Sequence, residues 1–418
     1  MTDPQAHESA GFSVFARGGP DAGDATLPDE QALVLGVTAP AGFRAAGVAA
    51  GLKSSGALDV ALVVNDGPRF DAAAVFTTNR IKAAPVLWTE RCAREGRFRA
   101  VILNSGGANA CTGPAGFADT HHTAERVAER LDVAPLEVAV CSTGLIGERL
   151  PMDQLLAGAE AAAGALAPDA GAAAAQAIMT TDSVPKLVRV EHPDGFVVGG
   201  MAKGAGMLAP GLATMLVVLT TDAVADAATL DESLRAATRV TFDRIDSDGC
   251  MSTNDTVLLL ASGASGNTAD AAALTDAVRA ACASLARQLI SDAEGATKDI
   301  RIDVVNAATE DDAVTAARAV SRSNLLKCAI HGQDPNWGRI ISAVGTTAVA
   351  FEPDAIDVAI NGVPICRDGA AFGDRGAVDM SAREVTITVD LRAGAAGATL
   401  WTNDLTAMYV HENSAYST

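Results

Sequence analysis

The sequence predicts layers of helices and strands, α/β or α+β. Short apolar runs rich in β-branched residues alternate with long alanine-rich stretches. The alternation has no clean strand–helix–strand rhythm, which argues against a barrel. A chain of 418 residues is also too long for one small core, so several layers or domains are expected.

The strands expected from these runs span residues 60–64, 100–103, 138–141, 196–198, 215–220, 257–260, 300–305, 348–351, 358–360, 385–391 and 399–402. Two helices have a clear apolar face. In residues 123–131, Val127 and Leu131 stand four apart beside Ala124 and Ala128. In residues 271–290, Leu274, Val278, Cys282, Leu285 and Leu289 share one side. Residues 152–179 are so rich in alanine that propensity alone favours a helix. Residues 1–31, rich in Gly, Pro, Asp and Ala, read as a flexible acidic extension, with order starting near residues 32–37.

Composition excludes several function classes. The formal charge of −20 opposes nonspecific binding to nucleic acid, which needs Lys and Arg to neutralise phosphates. No run of 18 apolar residues suggests a membrane span, and residues 1–30 lack the basic and apolar regions of a secretory signal. Seven widely spaced cysteines without a Cys-x-x-Cys fit a reducing cytoplasm better than a disulfide framework. No His-Glu-x-x-His or similar spacing points to a metal, so no metal and no cofactor are expected.

The most informative stretch is Gly199-Gly-Met-Ala-Lys203-Gly-Ala-Gly-Met-Leu-Ala-Pro-Gly-Leu-Ala213-Thr214, followed by the apolar run 215–219. A glycine-crowded loop runs into a buried-looking strand, and Thr214 sits at the junction near the middle of the chain. A lone threonine there is first a strand starter. If the peptide bond before it is cut, however, the freed α-amine supplies a base on the same residue as a hydroxyl nucleophile.

Other blocks carry local alternatives. Asn104-Ser-Gly-Gly-Ala-Asn-Ala-Cys-Thr-Gly113 follows a strand and reads as a tight turn near a site rather than a phosphate cradle, since its spacing fits no P-loop. Ser142-Thr143-Gly144 offers backbone and hydroxyl donors for an oxyanion hole, or only a turn. Asp246-Ser-Asp-Gly-Cys-Met-Ser-Thr-Asn-Asp-Thr256 lacks the glutamate of a calcium loop, and a self-bonded polar turn is preferred. Glu294 beside Gly295 reads as a helix cap or a grip for a substrate ammonium. His331-Gly-Gln-Asp-Pro-Asn-Trp-Gly-Arg339 reads as a surface turn, and residues 398–410 as strand and turn that could hold the polar tail against the body.

Taken together the blocks resemble the ornithine acetyltransferase/N-acetylglutamate synthase family of arginine biosynthesis. Lys203-Gly-Ala-Gly-Met-Leu-Ala-Pro210 with Ala213-Thr214-Met-Leu216 is the most specific. Ala177-Ile-Met-Thr-Thr-Asp182, Ser142-Thr-Gly144, Glu294-Gly-Ala-Thr-Lys298, Asp334-Pro-Asn-Trp-Gly-Arg339 and His411-Glu-Asn-Ser-Ala-Tyr416 follow in the family's order, and the match runs from about residue 36 to 418. Gly211-Leu212 departs from a more polar approach to the nucleophile, which bears on the rate of cutting.

The resemblance implies self-cleavage between Ala213 and Thr214 into an alpha chain (32–213 after the extension) and a beta chain (214–418). It implies Thr214 as nucleophile of a ping-pong transfer of acetyl from N2-acetyl-L-ornithine to L-glutamate, with acetyl-CoA as a further donor in bifunctional members. Thr143 and Gly144 match the oxyanion hole. Thr180, Lys203, Thr214, Glu294, Asn413 and Thr418 match substrate-binding positions. The implied fold is a layered α/β sandwich with helices packed on internal β-sheets; the two chains would stay associated and the alpha–beta units would form a homo-oligomer. Two rival readings are a self-cleaving aminopeptidase or amidase, which would pass the acyl group to water, and a non-catalytic amino-acid-binding protein, which would stay uncut.

Overall fold

The computed structural model describes residues 35–209 and 215–415. They fall into two compact units. One comprises residues 35–294 with 412–415, and the other residues Gly295–His411. The division lies at 294/295, so these units are not the two halves that a cut at 213/214 would make.

In the larger unit the strands are β1 (Phe43–Val48), β2 (Val60–Asn65), β3 (Ala72–Phe76), β4 (Ala100–Ser105), β5 (Val138–Thr143), β6 (Lys186–Glu191), β7 (Val197–Lys203), β8 (Leu216–Thr221) and β9 (Thr256–Ala261). They form a four-stranded sheet in the order β1-β2-β4-β5 and a five-stranded sheet in the order β3-β9-β8-β7-β6. β4 pairs parallel with β5, and β8 parallel with β9; the other pairs in these sheets are antiparallel. Leu216, Val218, Leu258 and Leu260 join one apolar core with β1, β2, β4 and β5, so the two sheets stack face to face.

Helices cover the outer faces. α1 (Ala84–Ala93), α2 (Gly113–Leu131), α3 (Met152–Gly164) and α4 (Gly171–Ala177) belong to the first sheet's side. α5 (Ala227–Val240) and α6 (Ala271–Ser291) pack together and lie on the second sheet. Every residue of β2, β4, β5, β8 and β9 is buried, which explains why they read as unbroken apolar runs rather than alternating ones. The expected face of α6 is the observed one: Leu274, Val278, Cys282, Leu285 and Leu289 are all buried. The fold is thus a helix–sheet–sheet–helix sandwich, as the resemblance implies.

The smaller unit holds β10 (Asp299–Ala307), β11 (Asp357–Ile360), β12 (Val363–Arg367), β13 (Ala370–Ala371), β14 (Glu384–Asp390) and β15 (Ala396–Asn403), in the order β13-β12-β11-β14-β10-β15. α7 (Glu310–Ser321) packs on β10 and β15, and α8 (Asn324–His331) and α9 (Trp337–Val344) follow it. Thr309 caps α7 by accepting the Asp312 N–H, and Glu310, Asp311 and Asp312 fill the first turn where the helix dipole favours acids. α10 (Ala407–Ala415) closes the described chain.

Four expectations are corrected. Residues 152–179 are two helices, because Gly164 and Pro168 interrupt them and Ala167 leaves to pair with Ala45. Residues 348–351 form no strand; Val349 and Phe351 pack on the core of the smaller unit as part of a connection. Residues 407–410 are helical, not strand or turn. His331 and Trp337–Arg339 lie in α8 and α9, with Asn336 capping α9, rather than in one surface turn. The expected flexible extension, 1–31, lies outside the described residues.

The glycines at 199 and 200 belong to β7, not to a loop. A Cβ on Gly199 would lie 2.2 Å from the Gly36 carbonyl oxygen, and one on Gly200 2.7 Å from Leu219. These positions need glycine for close packing, which brings β7 against its neighbours and carries Lys203 to the end of the strand.

Candidate active site

β5 and β7 end beside each other in the larger unit, each with a polar residue at its last position. Thr143 ends β5 and Lys203 ends β7. Lys203 is 2 % exposed, and its ammonium donates to Thr143 Oγ1 at 3.2 Å and to Thr180 Oγ1 at 2.8 Å. The strand register pairs Lys203 with Leu216, two residues beyond Thr214.

The turn after Thr143 is shaped by glycine. Gly144 has φ +130°, and a Cβ there would meet Gly107 N at 2.5 Å. Gly106 and Gly107 both donate their N–H to the Thr143 carbonyl at 3.0 Å. The glycine-rich segment 104–113 therefore backs the Thr143–Gly144 turn, as its reading as a turn near a site expects. Gly144→Ala, which would press a Cβ on Gly107 N in a backbone conformation that L side chains rarely adopt, is expected to distort this turn and lower the melting temperature by several degrees. A circular-dichroism melt of the variant beside the wild type checks it.

One carboxylate organises the lysine. Asp182 Oδ1 accepts from Lys186 Nζ at 2.7 Å and from Gly204 N at 2.6 Å, and Oδ2 accepts from Thr180 N at 3.0 Å. Lys203 Nζ lies 4.0 Å from the same carboxylate. Lys186 also donates to Asp292 at 2.6 Å. Burial pushes Asp182 up, but the Lys203 and Lys186 charges and the Gly204 N–H outweigh it and hold its pKa at about 2. Burial lowers the pKa of Lys203, opposed by Asp182, Asp255 and Glu294.

Glu294 is not a helix cap. Its carboxylate accepts from Thr181 Oγ1 at 2.7 Å and from Asn413 Nδ2 at 3.0 Å, while its N–H donates to Ala205 O. Gly206 lies against this carboxylate, 2.5 Å from where its Cβ would stand. Adjacent Thr180 and Thr181 thus join the Lys203 group to the Glu294–Asn413 pair. Thr143, Gly144, Thr180, Lys203, Glu294 and Asn413 come from separate stretches of chain and meet in one unit. Ala213, Thr214 and Thr418 lie outside the described residues.

The segment Asp246–Thr256 is a self-bonded turn in part, with the Cys250 N–H on Asp248 and the Asn254 N–H on Ser252 Oγ, but it also reaches outward. Asn254 Nδ2 donates to Ala108 O at 2.7 Å and Ser142 O at 2.8 Å, and Asp248 accepts the Leu208 N–H at 3.2 Å. Asp255 Oδ1 accepts the N–H of Met215 at 3.0 Å. One polar turn therefore ties the Ser142–Gly144 turn to the start of β8. Its partners lie far away in the sequence, so no local pattern announces them. Among the described residues no group of His, Cys, Asp and Glu is placed to hold a metal ion.

The sequence model of the ArgJ family matches residues 44–418. The chain belongs to the ArgJ family. It is 65% identical over 383 residues to the arginine biosynthesis bifunctional protein ArgJ of Streptomyces coelicolor, which covers 92% of this chain and 100% of that protein. The ArgJ protein of Thermobifida fusca is 61% identical over 384 residues, again 92% of this chain and 100% of its own length. A crystal structure of ornithine acetyltransferase with ornithine, from Mycobacterium tuberculosis, is 64% identical; it covers 44% of this chain and 97% of its own, with a TM-score of 0.42. With ArgJ membership, the chain's assignment as an acetyltransferase of arginine biosynthesis stands. No helix among the described residues is long and apolar enough to cross a membrane.

Proposed function

We propose that this ArgJ chain moves acetyl from N2-acetyl-L-ornithine to L-glutamate through an acetyl-Thr214 enzyme, after cutting itself between Ala213 and Thr214. The observation that carries this is the Lys203 ammonium, buried between the Thr143 and Thr180 hydroxyls and paired in register with Leu216. It brings the oxyanion turn and the substrate positions to the strand that Thr214 precedes.

In the first half-reaction, Thr214 Oγ forms a bond to the acetyl carbonyl carbon while its proton passes to the Thr214 α-amine. The Thr143 hydroxyl and the Gly144 N–H stabilise the oxyanion. The C–N bond to ornithine then breaks, and the departing nitrogen takes the proton from the α-ammonium. L-Glutamate's amine attacks the acetyl-Thr214 ester in the reverse sense. Lys203 receives a substrate carboxylate and Glu294 the side-chain ammonium of ornithine, with Asn413 and Thr418 beside them. The step needs a nucleophile, a base and oxyanion donors, and no cofactor enters its balance.

Residues 35–209 and 215–294 share one sheet, with β7 paired to β8 and β3 to β9. That pairing would hold the alpha chain (up to 213) and the beta chain (from 214) together after the cut. We include acetyl-CoA as a second donor, since the Streptomyces coelicolor relative is named a bifunctional protein. The setting is cytoplasmic, and the alpha–beta units form a homo-oligomer.

Intact mass of the denatured protein tests this. N2-acetyl-L-ornithine should add one acetyl group to the chain that begins at Thr214, and L-glutamate should remove it as N-acetylglutamate. Release of acetate without transfer, or full activity in an uncut chain, overturns the reading. Glu294→Gln is expected to raise KM for N2-acetyl-L-ornithine about tenfold or more through loss of a charged partner, with a smaller change in kcat. Steady-state kinetics with that donor checks it.

A further inference from the structure

The two amino acids of the reaction place opposite charge demands on one site. Ornithine and glutamate share an α-amino acid core, and their side chains are of similar length but opposite charge. Glu294 suits the ornithine ammonium and, for the same reason, repels the side-chain carboxylate of glutamate. Lys203 already donates to Thr143 and Thr180 and faces Asp182. A further cation is needed.

The connection between β1 and β2 supplies one. Asp59, fully buried, pins it: Oδ1 accepts the Ala50 N–H at 2.6 Å, and Oδ2 accepts the N–H of Leu52 at 2.6 Å and of Lys53 at 3.1 Å. The Asp59 carbonyl also accepts the Ser105 N–H at 2.9 Å, at the end of β4. Leu52 lies against Gly106, where a Cβ would stand 3.0 Å from Leu52 Cβ. Gly106 in turn donates to the Thr143 carbonyl. The connection is therefore packed on the segment that backs the Thr143–Gly144 turn, and Lys53 is the residue next to that contact. Residues 54–57 are exposed, so this part of the chain also borders solvent.

Lys53 is partly buried, and its ammonium donates to the Leu58 carbonyl at 2.8 Å. An ammonium has three donors. Among the described residues no carboxylate lies within ion-pair distance of this one. Burial lowers its pKa, Asp59 and Asp182 pull it up, and Lys203 pushes it down. Lys53 therefore feels the charges of the site, and Lys203 feels Glu294 as well. A partly desolvated ammonium without a direct anion is stabilised by an anion that binds to it.

We propose that Lys53 binds the side-chain carboxylate of L-glutamate, while Lys203 takes the α-carboxylate common to both substrates and Glu294 the ornithine ammonium. This rests on the reading of L-glutamate as the acetyl acceptor. One carboxylate position then serves two side-chain positions of opposite sign, so neither substrate sets its side chain against a like charge. No bond forms or breaks at Lys53.

The test is steady-state kinetics of Lys53→Met and Lys53→Arg in the full chain. In a ping-pong reaction kcat/KM for each substrate reports its own half-reaction, so the two substrates can be read separately. In Lys53→Met, kcat/KM for L-glutamate should fall about tenfold to hundredfold further than kcat/KM for N2-acetyl-L-ornithine, the usual effect of losing one charge-assisted contact. Lys53→Arg, which keeps the charge, should hold the ratio of the two values near that of the wild type. An equal fall for both substrates overturns the proposal, since Lys53 then serves the loop or the shared α-carboxylate. A ratio that does not move overturns it, as does one that falls as far in Lys53→Arg as in Lys53→Met. A loss confined to kcat/KM for acetyl-CoA also overturns it and assigns Lys53 to a phosphate of that donor. If the wild type makes no N-acetylglutamate from L-glutamate, the acceptor reading itself fails and takes this proposal with it, before either variant is measured.

Discussion

Thr214→Ala is expected to remain one 42.3 kDa chain and to lose acetyl transfer by at least about 10⁴-fold. The size follows from what the residue would carry. Its hydroxyl attacks, and its α-amine, once freed, is the base; in an uncut chain neither function is available. Removing a nucleophile from a serine-type triad already costs on the order of 10⁶ in kcat, with a remnant supplied by the oxyanion donors and by binding. Thr214→Ser separates the two functions. It keeps a hydroxyl and can yield the same amine, so it should still be cut and still carry an acetyl group, at a lower rate. Mass spectrometry of the denatured chains, before and after N2-acetyl-L-ornithine, reads both outcomes. A Thr214→Ala protein cut at the same bond, or one transferring acetyl at the wild-type rate, would sink the nucleophile assignment.

Much of the layered fold was legible because its central strands are covered on both faces and therefore read as unbroken apolar runs. β2, β4, β5, β8 and β9 all overlap the expected strands. Edge and short elements were less visible. α8 and α9 span only eight residues each, two turns in which an apolar stripe is hard to tell from chance. Gly199 and Gly200 misled in the other direction. Glycine usually punctuates, but here it lets β7 approach Gly36 and Leu219.

The site was legible by a different route. Nothing in the local sequence brings Thr143 to Lys203, or Glu294 to Asn413; the resemblance named them together and the fold places them in contact. Asn254 and Asp255 were passed over because hydroxyls and carboxylates in one stretch look self-sufficient. Their partners, Ala108, Ser142 and Met215, lie 146, 112 and 40 residues away. Only folding reveals that the turn joins the Ser142–Gly144 turn to β8.

Asp182→Asn is the second substitution with a large expected effect, and it reads on stability and activity together. The carboxylate is buried and serves Lys186, Gly204 and Thr180 while facing Lys203. Lys186 keeps Asp292 when the charge goes, but Lys203 loses its nearest anion. Breaking a buried ion cluster by removing one partner costs about 3–5 kcal/mol, more than an exposed pair could. The folded pKa of about 2 lies below the ordinary aspartate value of 3.8, so the folded state binds fewer protons between them. That contribution, about 2 kcal/mol, is present above about pH 4 and is lost as pH falls through about 2. Denaturant unfolding should therefore separate wild type and variant most at neutral pH and draw them together in acid. In the activity profile, burial would depress the Lys203 pKa further, and the alkaline limb of kcat/KM should move to lower pH. Equal stability at pH 7 with an unmoved alkaline limb would show that Lys203 is held by something other than Asp182.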